Sequence, residues 1–285
     1  MHPDFERLSE TLKRRPLVMG VLNVTPDSFS DGGRYLAPEA ALAQARRLQA
    51  DGADLVDLGG ESTRPGAPAV GAEEELKRVL PVAQALCREL PGLAWSIDTQ
   101  KAAVAQACLA EGACLLNDVS ALMADPAMLG VAAASQAGIS LMHRLQAPRD
   151  ASWSTLEKSH YGEQGVCAAV RHFLKQRALA CRDAGIDPAR LWFDPGLGFG
   201  KTVSDNLRLL KELPSLVADG HPVLVGPSRK SFIGAVLDDA PVEERLEGTL
   251  AACVAAVLNG AAILRVHDVK EAVRAIKMAH AIKAA

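Results

Sequence analysis

The sequence predicts an α/β fold, a single-domain (β/α)8 TIM barrel, and three observations favour it. Short apolar runs typical of buried strands alternate with longer helical patterns along the 285-residue chain. Eight such pairs occur within about 250 residues, the usual size of this barrel. Polar residues recur where the strand runs end. An open doubly wound sheet is the alternative, although no glycine-rich dinucleotide fingerprint follows the first strand.

In the first half of the chain, apolar runs bounded by turn residues indicate strands, and helical spacing closed by glycine indicates helices. Strand 18–22 ends at Asn23, before a loop rich in Pro, Gly, Asp and Ser. Helix 38–49 follows, and Gly52 ends it. The alternation then continues with strand 55–60, helix 73–90, strand 93–97, helix 101–111, strand 115–116 and helix 127–136.

The second half repeats the pattern, with one longer polar stretch at 144–161. Each strand is again a short apolar run that ends in a charged or turn-forming residue. The predicted elements are strand 139–142, helix 165–184, strand 191–193, helix 204–216, strand 222–226, helix 243–259, strand 261–264 and helix 269–283.

Composition and charge narrow the classes of protein. The net charge of −3 gives no basic field for nucleic acid or an anionic membrane. The six cysteines form no CxxC pair, which favours a reducing compartment, and we expect the cytoplasm. The N-terminus lacks the apolar core of a signal peptide, and no stretch is apolar enough to span a bilayer. We expect one domain, 1–285, with 1–15 as an N-terminal extension.

Ionisable residues are costly in buried strands unless they are paired or used. In this sequence they lie at or near the C-terminal ends of the predicted strands, the end of a barrel that carries the active site. A structural ion-pair network is the alternative for the set, and for Asp57, inside the second strand, pairing with a neighbour is the better interpretation. The residues are Asn23, Asp57, Asp98, Asn117, Asp194, Lys230, Arg265 and His267.

These residue types suit two chemical tasks. Asp98, Asn117 and Asp194 supply acceptors for the N–H groups of a flat nitrogen heterocycle, and Asn117 also supplies donors. Lys230 can donate to a ring carbonyl. Arg265 and His267 alternate along the last strand and so share one face, beside Asn23 on the first strand. This arrangement suits a phosphate or pyrophosphate, together with a Mg²⁺ that takes part of its ligands from the substrate.

The sequence also resembles a known family, in motifs that run from the first strand to the last. The motifs are GVLNVTPDSFSDGG (20–33), DLGGESTRPGA (57–67), SIDT (96–99), NDVS (117–120), LMH (141–143), DPGLGFGKT (194–202), GPSRKSFIG (226–234) and RVHDV (265–269). Together they resemble the dihydropteroate synthase family of pterin-binding barrels. The resemblance implies a transferase of folate biosynthesis that joins 6-hydroxymethyl-7,8-dihydropterin pyrophosphate to 4-aminobenzoate and releases pyrophosphate.

The same resemblance implies roles for individual residues, with Mg²⁺ as the cofactor and Asn23 as its ligand. The partners expected are these two small-molecule substrates and a second copy of the chain in a homodimer, with no nucleic acid and no membrane. Asp98, Lys230, Arg265 and His267 are the expected catalytic residues. Binding residues are, for the pterin, Asp98, Asn117, Met142, Asp194 and Lys230; for pyrophosphate, Asn23, Arg265 and His267; and for aminobenzoate, Phe29, Thr63, Arg64, Pro65, Ser228 and Arg229.

One segment departs from the family pattern. After Met142-His143 the chain continues with RLQAPR at 144–149, where the family usually has a second Met, then Gly-x-Pro and a Met-Gln pair. Two other functions stay open: a methyltetrahydrofolate-dependent methyltransferase and a non-catalytic pterin-binding paralogue. The Ser228–Lys230 triplet and the Arg265/His267 pair argue against the methyltransferase, and the intact strand-end residues argue against the paralogue.

Overall fold

Eight parallel strands form the centre of the molecule in a computed structural model that describes residues 1–24, 37–62, 69–145, 159–162 and 164–285. Neighbouring strands follow the order β6-β5-β4-β3-β2-β1-β8-β7. A parallel bridge between Phe193 and Val223 joins the two ends of this order and brings the sheet to closure. The predicted (β/α)8 barrel is confirmed. The strands are β1 Leu17–Asn23, β2 Leu55–Gly59, β3 Ala94–Asp98, β4 Leu115–Asp118, β5 Gly138–Met142, β6 Leu191–Asp194, β7 Leu224–Val225 and β8 Ile263–Val266.

Helices cover the outside of the strands and fill the connections between them. Two short 3-10 turns, Pro188–Arg190 and Val242–Glu244, precede β6 and the tenth helix. The helices are α1 Pro3–Leu12, α2 Ala37–Ala50, α3 Ala72–Glu89, α4 Ala102–Ala110, α5 Met128–Ala134, α6 Gly165–Asp183, α7 Val203–Lys211, α8 Pro214–Val217, α9 Ser231–Val236, α10 Leu246–Leu258 and α11 Val269–Ala284.

Four elements differ from the sequence prediction. The predicted helix 204–216 is two helices, because Pro214 has no backbone N–H to continue α7 and instead begins α8. The strand predicted at 222–226 is reduced to Leu224–Val225. Helices α1 and α9 were not predicted, since neither gives a long apolar period.

Two apolar cores stabilise the barrel. The larger core lies between the strands and the outer helices. The smaller one fills the barrel at the N-terminal ends of the strands, where Phe5 and Leu8 of α1 pack with strand residues such as Trp192. The rings of Phe5 and Trp192 are 5.2 Å apart, and a Cβ on Gly138 would lie 1.9 Å from Phe5 Cε2. The N-terminal helix therefore covers one end of the barrel and leaves polar chemistry to the other end.

No helix within the described residues is long and apolar enough to cross a membrane.

Candidate active site at the C-terminal end of the barrel

Strand register brings the predicted polar residues to one end of the barrel. Asp98, the last residue of β3, pairs in register with Asn117 on β4 and with Gly59 on β2. A Cβ on Gly59 would lie 3.2 Å from Asn23 Oδ1 and 3.7 Å from Asp98 Cβ. Asn23 and Asp98 thus flank a glycine whose missing side chain leaves room between them.

Arg265 joins two carboxylates at this end of the barrel. Its Nε donates to Asp57 Oδ2 at 2.6 Å, and its Nη2 donates to Asp98 Oδ2 at 3.0 Å. Burial disfavours the guanidinium charge, but Asp57 and Asp98 outweigh it, so that the pKa of Arg265 is raised. The interpretation of Asp57 as a carboxylate paired with a neighbour is confirmed, and the neighbour is the predicted anion-binding arginine.

Asp57 also contacts Ser96 and Asn117. Ser96 Oγ donates to Asp57 Oδ1 at 2.5 Å, and Asn117 Nδ2 donates to Asp57 Oδ2 at 3.0 Å. Burial, followed by the charge of Asp57, raises the pKa of Asp98, while Arg265 acts in the opposite direction. One guanidinium therefore compensates two buried carboxylates, and the cluster is rich in hydrogen-bond acceptors.

Asp194 and Lys230 form the opposite side of the site. Asp194 Oδ1 accepts a hydrogen bond from Gly196 N at 2.7 Å, and burial raises the pKa of Asp194 against the effect of Lys230. Lys230 donates to Leu197 O and lies 4.5 Å from the centroid of the Phe199 ring. Burial lowers the pKa of Lys230 to about 8 against the attraction of Asp194. Asp194 and Lys230 therefore each bond to the glycine-rich loop after β6, Asp194 at Gly196 and Lys230 at Leu197. The loop holds both charged groups at this end of the barrel.

The loop between β6 and α7 is held by Lys201, which is not among the site residues predicted from the sequence. Lys201 is fully buried, and its Nζ donates to Gly196 O at 2.8 Å and to His143 O and Phe199 O at 3.2 Å. The same Nζ lies 3.1 Å from His143 Nδ1. Burial lowers the pKa of Lys201 to about 7, and burial together with Lys201 lowers that of His143 to about 3. The available signal was a lysine directly before the helix-capping Thr202.

Ser228 and His267 meet beside β8. The Ser228 hydroxyl accepts from His267 N at 3.2 Å and lies 3.0 Å from His267 Nδ1. A hydroxyl that accepts from this amide and donates to Nδ1 fits a ring protonated at Nε2, which makes Nε2 a donor. The neighbouring Arg229 forms two hydrogen bonds to Asp268, at 2.6 and 2.9 Å, so its guanidinium is paired within the chain.

Met142 ends β5 next to the loop between β6 and α7. A Cβ on Gly196 of that loop would lie 3.2 Å from Met142 Cγ. Four predicted aminobenzoate residues, Phe29, Thr63, Arg64 and Pro65, lie outside the described residues. Of the segment that departs from the family pattern, the structure describes Arg144 and Leu145. A Cβ on Gly200 would lie 2.7 Å from Leu145 Cβ, so this segment begins against the β6–α7 loop.

The side chains at this end of the barrel provide few ligands for a metal ion. Among the described residues no group of three or more His, Cys, Asp or Glu side chains could hold a metal. Asn23 Oδ1 beside the Asp98 carboxylate provides the kind of oxygen that Mg²⁺ accepts. The residues therefore fit a Mg²⁺ that takes most of its ligands from a phosphorylated substrate and water, and they do not fit a protein-enclosed metal.

Acceptors and cations that meet at one end of the barrel define a site for a polar heterocycle that carries an anionic group. A family model described as pterin binding enzyme matches residues 19–267, and the chain therefore belongs to that family. Within it, a dihydropteroate synthase from Synechocystis sp. is 44% identical over 270 residues, which cover 94% of this chain and 91% of the relative.

Two solved structures agree with this placement. Xanthomonas albilineans dihydropteroate synthase with 4-aminobenzoic acid is 46% identical at a TM-score of 0.87, over 95% of this chain and 94% of that one. Burkholderia cenocepacia dihydropteroate synthase with 7,8-dihydropteroate is 45% identical at a TM-score of 0.83, over 95% and 92% of the two chains. The resemblance seen in the motifs is confirmed.

Proposed function

We propose that this chain catalyses the dihydropteroate synthase reaction, in which the pyrophosphate of 6-hydroxymethyl-7,8-dihydropterin pyrophosphate is replaced by the amine of 4-aminobenzoate. The chain is a transferase of folate biosynthesis whose relatives are dihydropteroate synthases. The observation that carries the proposal is the hydrogen-bonded cluster of Asp57, Asp98, Asn117 and Arg265 opposite Asp194 and Lys230. It combines heterocycle acceptors with cations at one barrel end. The alternatives, a methyltransferase and a silent paralogue, gain no comparable support.

The pterin would lie between the two sides of the site. Asp98, Asn117 and Asp194 would accept hydrogen bonds from its ring N–H and amino groups, and Lys230 would donate to its carbonyl oxygen. Met142 would contact the ring beside Gly196. Four of these side chains lie on barrel strands, and Lys230 directly precedes α9, which supports a preformed pocket.

The leaving pyrophosphate would be stabilised by Arg265, His267 and Asn23. Loss of pyrophosphate develops negative charge, and a guanidinium with a neutral imidazole donor stabilises such charge best in a partly buried site. The Arg265 side chain is 23% exposed, so it keeps access to a ligand while Asp57 and Asp98 hold it. The C–O bond to pyrophosphate breaks, and the Asp98 carboxylate would stabilise the positive charge left on the carbon. The neutral aromatic amine then forms the C–N bond and releases one proton to solvent.

Mg²⁺ is proposed as the cofactor, with Asn23 as the protein ligand. When bound, Mg²⁺ would neutralise charge on the pyrophosphate. The second substrate would approach from Ser228 and Arg229, together with Phe29, Thr63, Arg64 and Pro65. The Ser228 hydroxyl is hydrogen-bonded to His267. This bond would connect the aminobenzoate position, at Ser228, with the pyrophosphate position, at His267.

The experiment is a turnover assay with purified protein, both substrates and MgCl2, followed by pyrophosphate release and formation of dihydropteroate. We expect product only when both substrates are present. Arg265→Met should lower the rate roughly 100-fold or more, because a cation aimed at developing charge is lost. Arg46→Met is the matched control, since Arg46 is exposed and bonded to Glu89 on the barrel exterior. Absence of dihydropteroate from the complete reaction contradicts the proposal.

We also propose a cytoplasmic homodimer. All six cysteines are free, which suits a reducing compartment. Leu207, Leu258, Met278 and Ile282 are each more than 40% exposed, on the neighbouring helices α7, α10 and α11. Exposed apolar side chains on adjacent helices favour burial against a second copy. Light scattering after gel filtration should give twice the 30.1 kDa chain mass, and a monomeric mass would refute the dimer.

A further inference from the structure

Asp57 contacts two of the side chains to which the proposed function gives substrate-binding roles. It lies in the middle of β2, and its side chain is fully buried. Its Oδ2 accepts from Arg265 Nε at 2.6 Å and from Asn117 Nδ2 at 3.0 Å, while its Oδ1 accepts from Ser96 Oγ at 2.5 Å. One carboxylate thus fixes groups from three other strands.

The contact with Asn117 determines which end of that amide remains for a ligand. Asn117 is 4% exposed, and an amide has one accepting oxygen and one donating nitrogen. If the amide were reversed, its oxygen would face the Asp57 oxygen, and two acceptors would be in contact without a proton between them. Because Nδ2 is bound to Asp57, Oδ1 is left, and among the described residues none donates to it.

The orientation of one amide changes the chemistry of the whole pocket. With Oδ1 available, Asn117 joins Asp98, its neighbour in register, and Asp194 as a third acceptor. A ring edge that presents several N–H donors is complementary to such a set, whereas a ring edge with an acceptor at the Asn117 position leaves two acceptors opposed. A mismatch of this kind at a buried group costs far more than the loss of a single exposed hydrogen bond.

We propose that Asp57 is a positioning residue that sets the hydrogen-bond polarity of the pterin pocket, by holding Asn117 with its oxygen toward the ligand. The proposal rests on the proposed function and adds a determinant of ligand specificity to it. Asp57 itself does not touch the ligand in this assignment, and it acts through Asn117.

The test is a double-mutant cycle with Asp57→Ala, Asn117→Ala and the double variant. The probe is 6-hydroxymethyl-7,8-dihydropterin without pyrophosphate, titrated by calorimetry, which removes the anion-binding contribution of Arg265. Each single variant should bind the probe roughly 10- to 30-fold more weakly, because a buried hydrogen bond is lost or misdirected. If Asp57 acts through Asn117, the double variant should be no weaker than about threefold below the worse single variant.

The conservative variant Asp57→Asn gives a readout that a purely structural role does not predict. The oxygen of the introduced amide can take the position of the carboxylate Oδ2, and its nitrogen can donate to Ser96 Oγ. The single Ser96 hydroxyl proton is then donated to Val56 O. Probe affinity should then stay within about threefold of the unmodified protein, although the charge is gone. Asp57→Leu, which fills the same space without an acceptor, replaces the alanine variant if that variant does not fold.

Asp54→Asn is the matched control. Asp54 precedes the same strand, also binds an arginine, Arg15, and accepts from Val18 N, but it lies at the opposite end of the barrel. This variant should leave probe affinity unchanged. Effects of Asp57→Ala and Asn117→Ala that multiply to roughly 100-fold or more overturn the positioning role, as does unchanged affinity in Asp57→Ala. The turnover assay on the unmodified protein tests the proposed function separately, so that a failure of either can be recognised.

Discussion

Lys201 is a fully buried lysine that donates to three backbone carbonyls, from His143, Gly196 and Phe199. Lys201→Met removes these donors and leaves the carbonyls with no replacement, at about 1–3 kcal/mol for each buried acceptor. Removal of a buried charge offsets part of this cost. We expect the free energy of unfolding in urea at pH 6, where Lys201 is protonated, to fall by roughly 2–4 kcal/mol.

Lys277→Met serves as the comparison for this measurement. Lys277 is exposed on α11, so its substitution should change the free energy of unfolding by less than about 0.5 kcal/mol. An equally small effect at Lys201 would show that the loop carbonyls find other partners without it.

At the residue scale, the sequence located the strand-end residues but not the contacts among them. Polar groups at the end of a buried strand cost free energy unless they are paired or bind a ligand, which is why four of them could be predicted as site residues. These are Asp98, Asn117, Asp194 and Arg265. Their partners depend on distance in space: Arg265 and Asp57 are 208 positions apart, which no local pattern reports. Lys201 was not predicted because it lies in a loop, where a lysine is ordinary.

At the scale of the element, the β6–α7 loop depends on Gly198. Its φ is +77°, and a Cβ there would lie 2.9 Å from Lys230 Cδ. Gly198→Ala should cost about 1 kcal/mol of stability through the left-handed backbone. It should also weaken pterin binding roughly tenfold, because the methyl group displaces the Lys230 stem. Thermal unfolding and calorimetric titration measure the two effects separately.

Gly185→Ala isolates the backbone part of that effect. Gly185 has a φ of +84° after α6, and no atom lies within 4 Å of a Cβ placed on it. It should lose similar stability and bind pterin as the unmodified protein does. Equal binding losses in both variants would mean that the displacement of Lys230 has no effect on the site.

Element boundaries were predicted where hydrophobic period is strong and missed where it is weak. The strands buried on both faces gave continuous apolar runs, and these appear in the structure close to the expected positions. β7 is shorter than its apolar run because Pro222 and Gly226 frame it. α1 was not predicted because it is not part of the strand–helix repeat. Its two buried residues contact the N-terminal ends of the strands and not a neighbouring helix.

At the scale of the whole molecule, the eightfold repeat was enough to predict the barrel, because parallel strands with helical crossovers close in few ways. Closure also explains why residues from distant parts of the sequence form one site. The protonation of such a site affects the stability of the entire fold through groups that burial keeps neutral, and His143 is the clearest of these.

His143 is 5% exposed, and its ring lies 5.1 Å from the Phe173 ring and 5.8 Å from the Tyr161 ring. Burial, and then the nearby Lys201, lower its pKa from 6.5 to about 3 in the folded protein. Between these two values the unfolded chain binds a proton at this residue and the folded chain does not. Stability must therefore fall as the pH falls from about 6.5 toward 3, by roughly 1.4 kcal/mol per pH unit.

His143→Gln removes the titrating ring and keeps an oxygen that can accept from Lys201. Between pH 6.5 and 4.5, the free energy of unfolding of the unmodified protein should fall by about 2–3 kcal/mol more than that of the variant. Asp98, whose pKa is raised, acts in the opposite direction over this range, but it is present in both proteins and cancels in the difference. The comparison therefore depends on the slopes with pH and not on any constant loss of packing in the variant. His172→Gln, exposed on α6, should keep the slope of the unmodified protein, and equal slopes in all three proteins would show that His143 accepts its proton within the folded barrel.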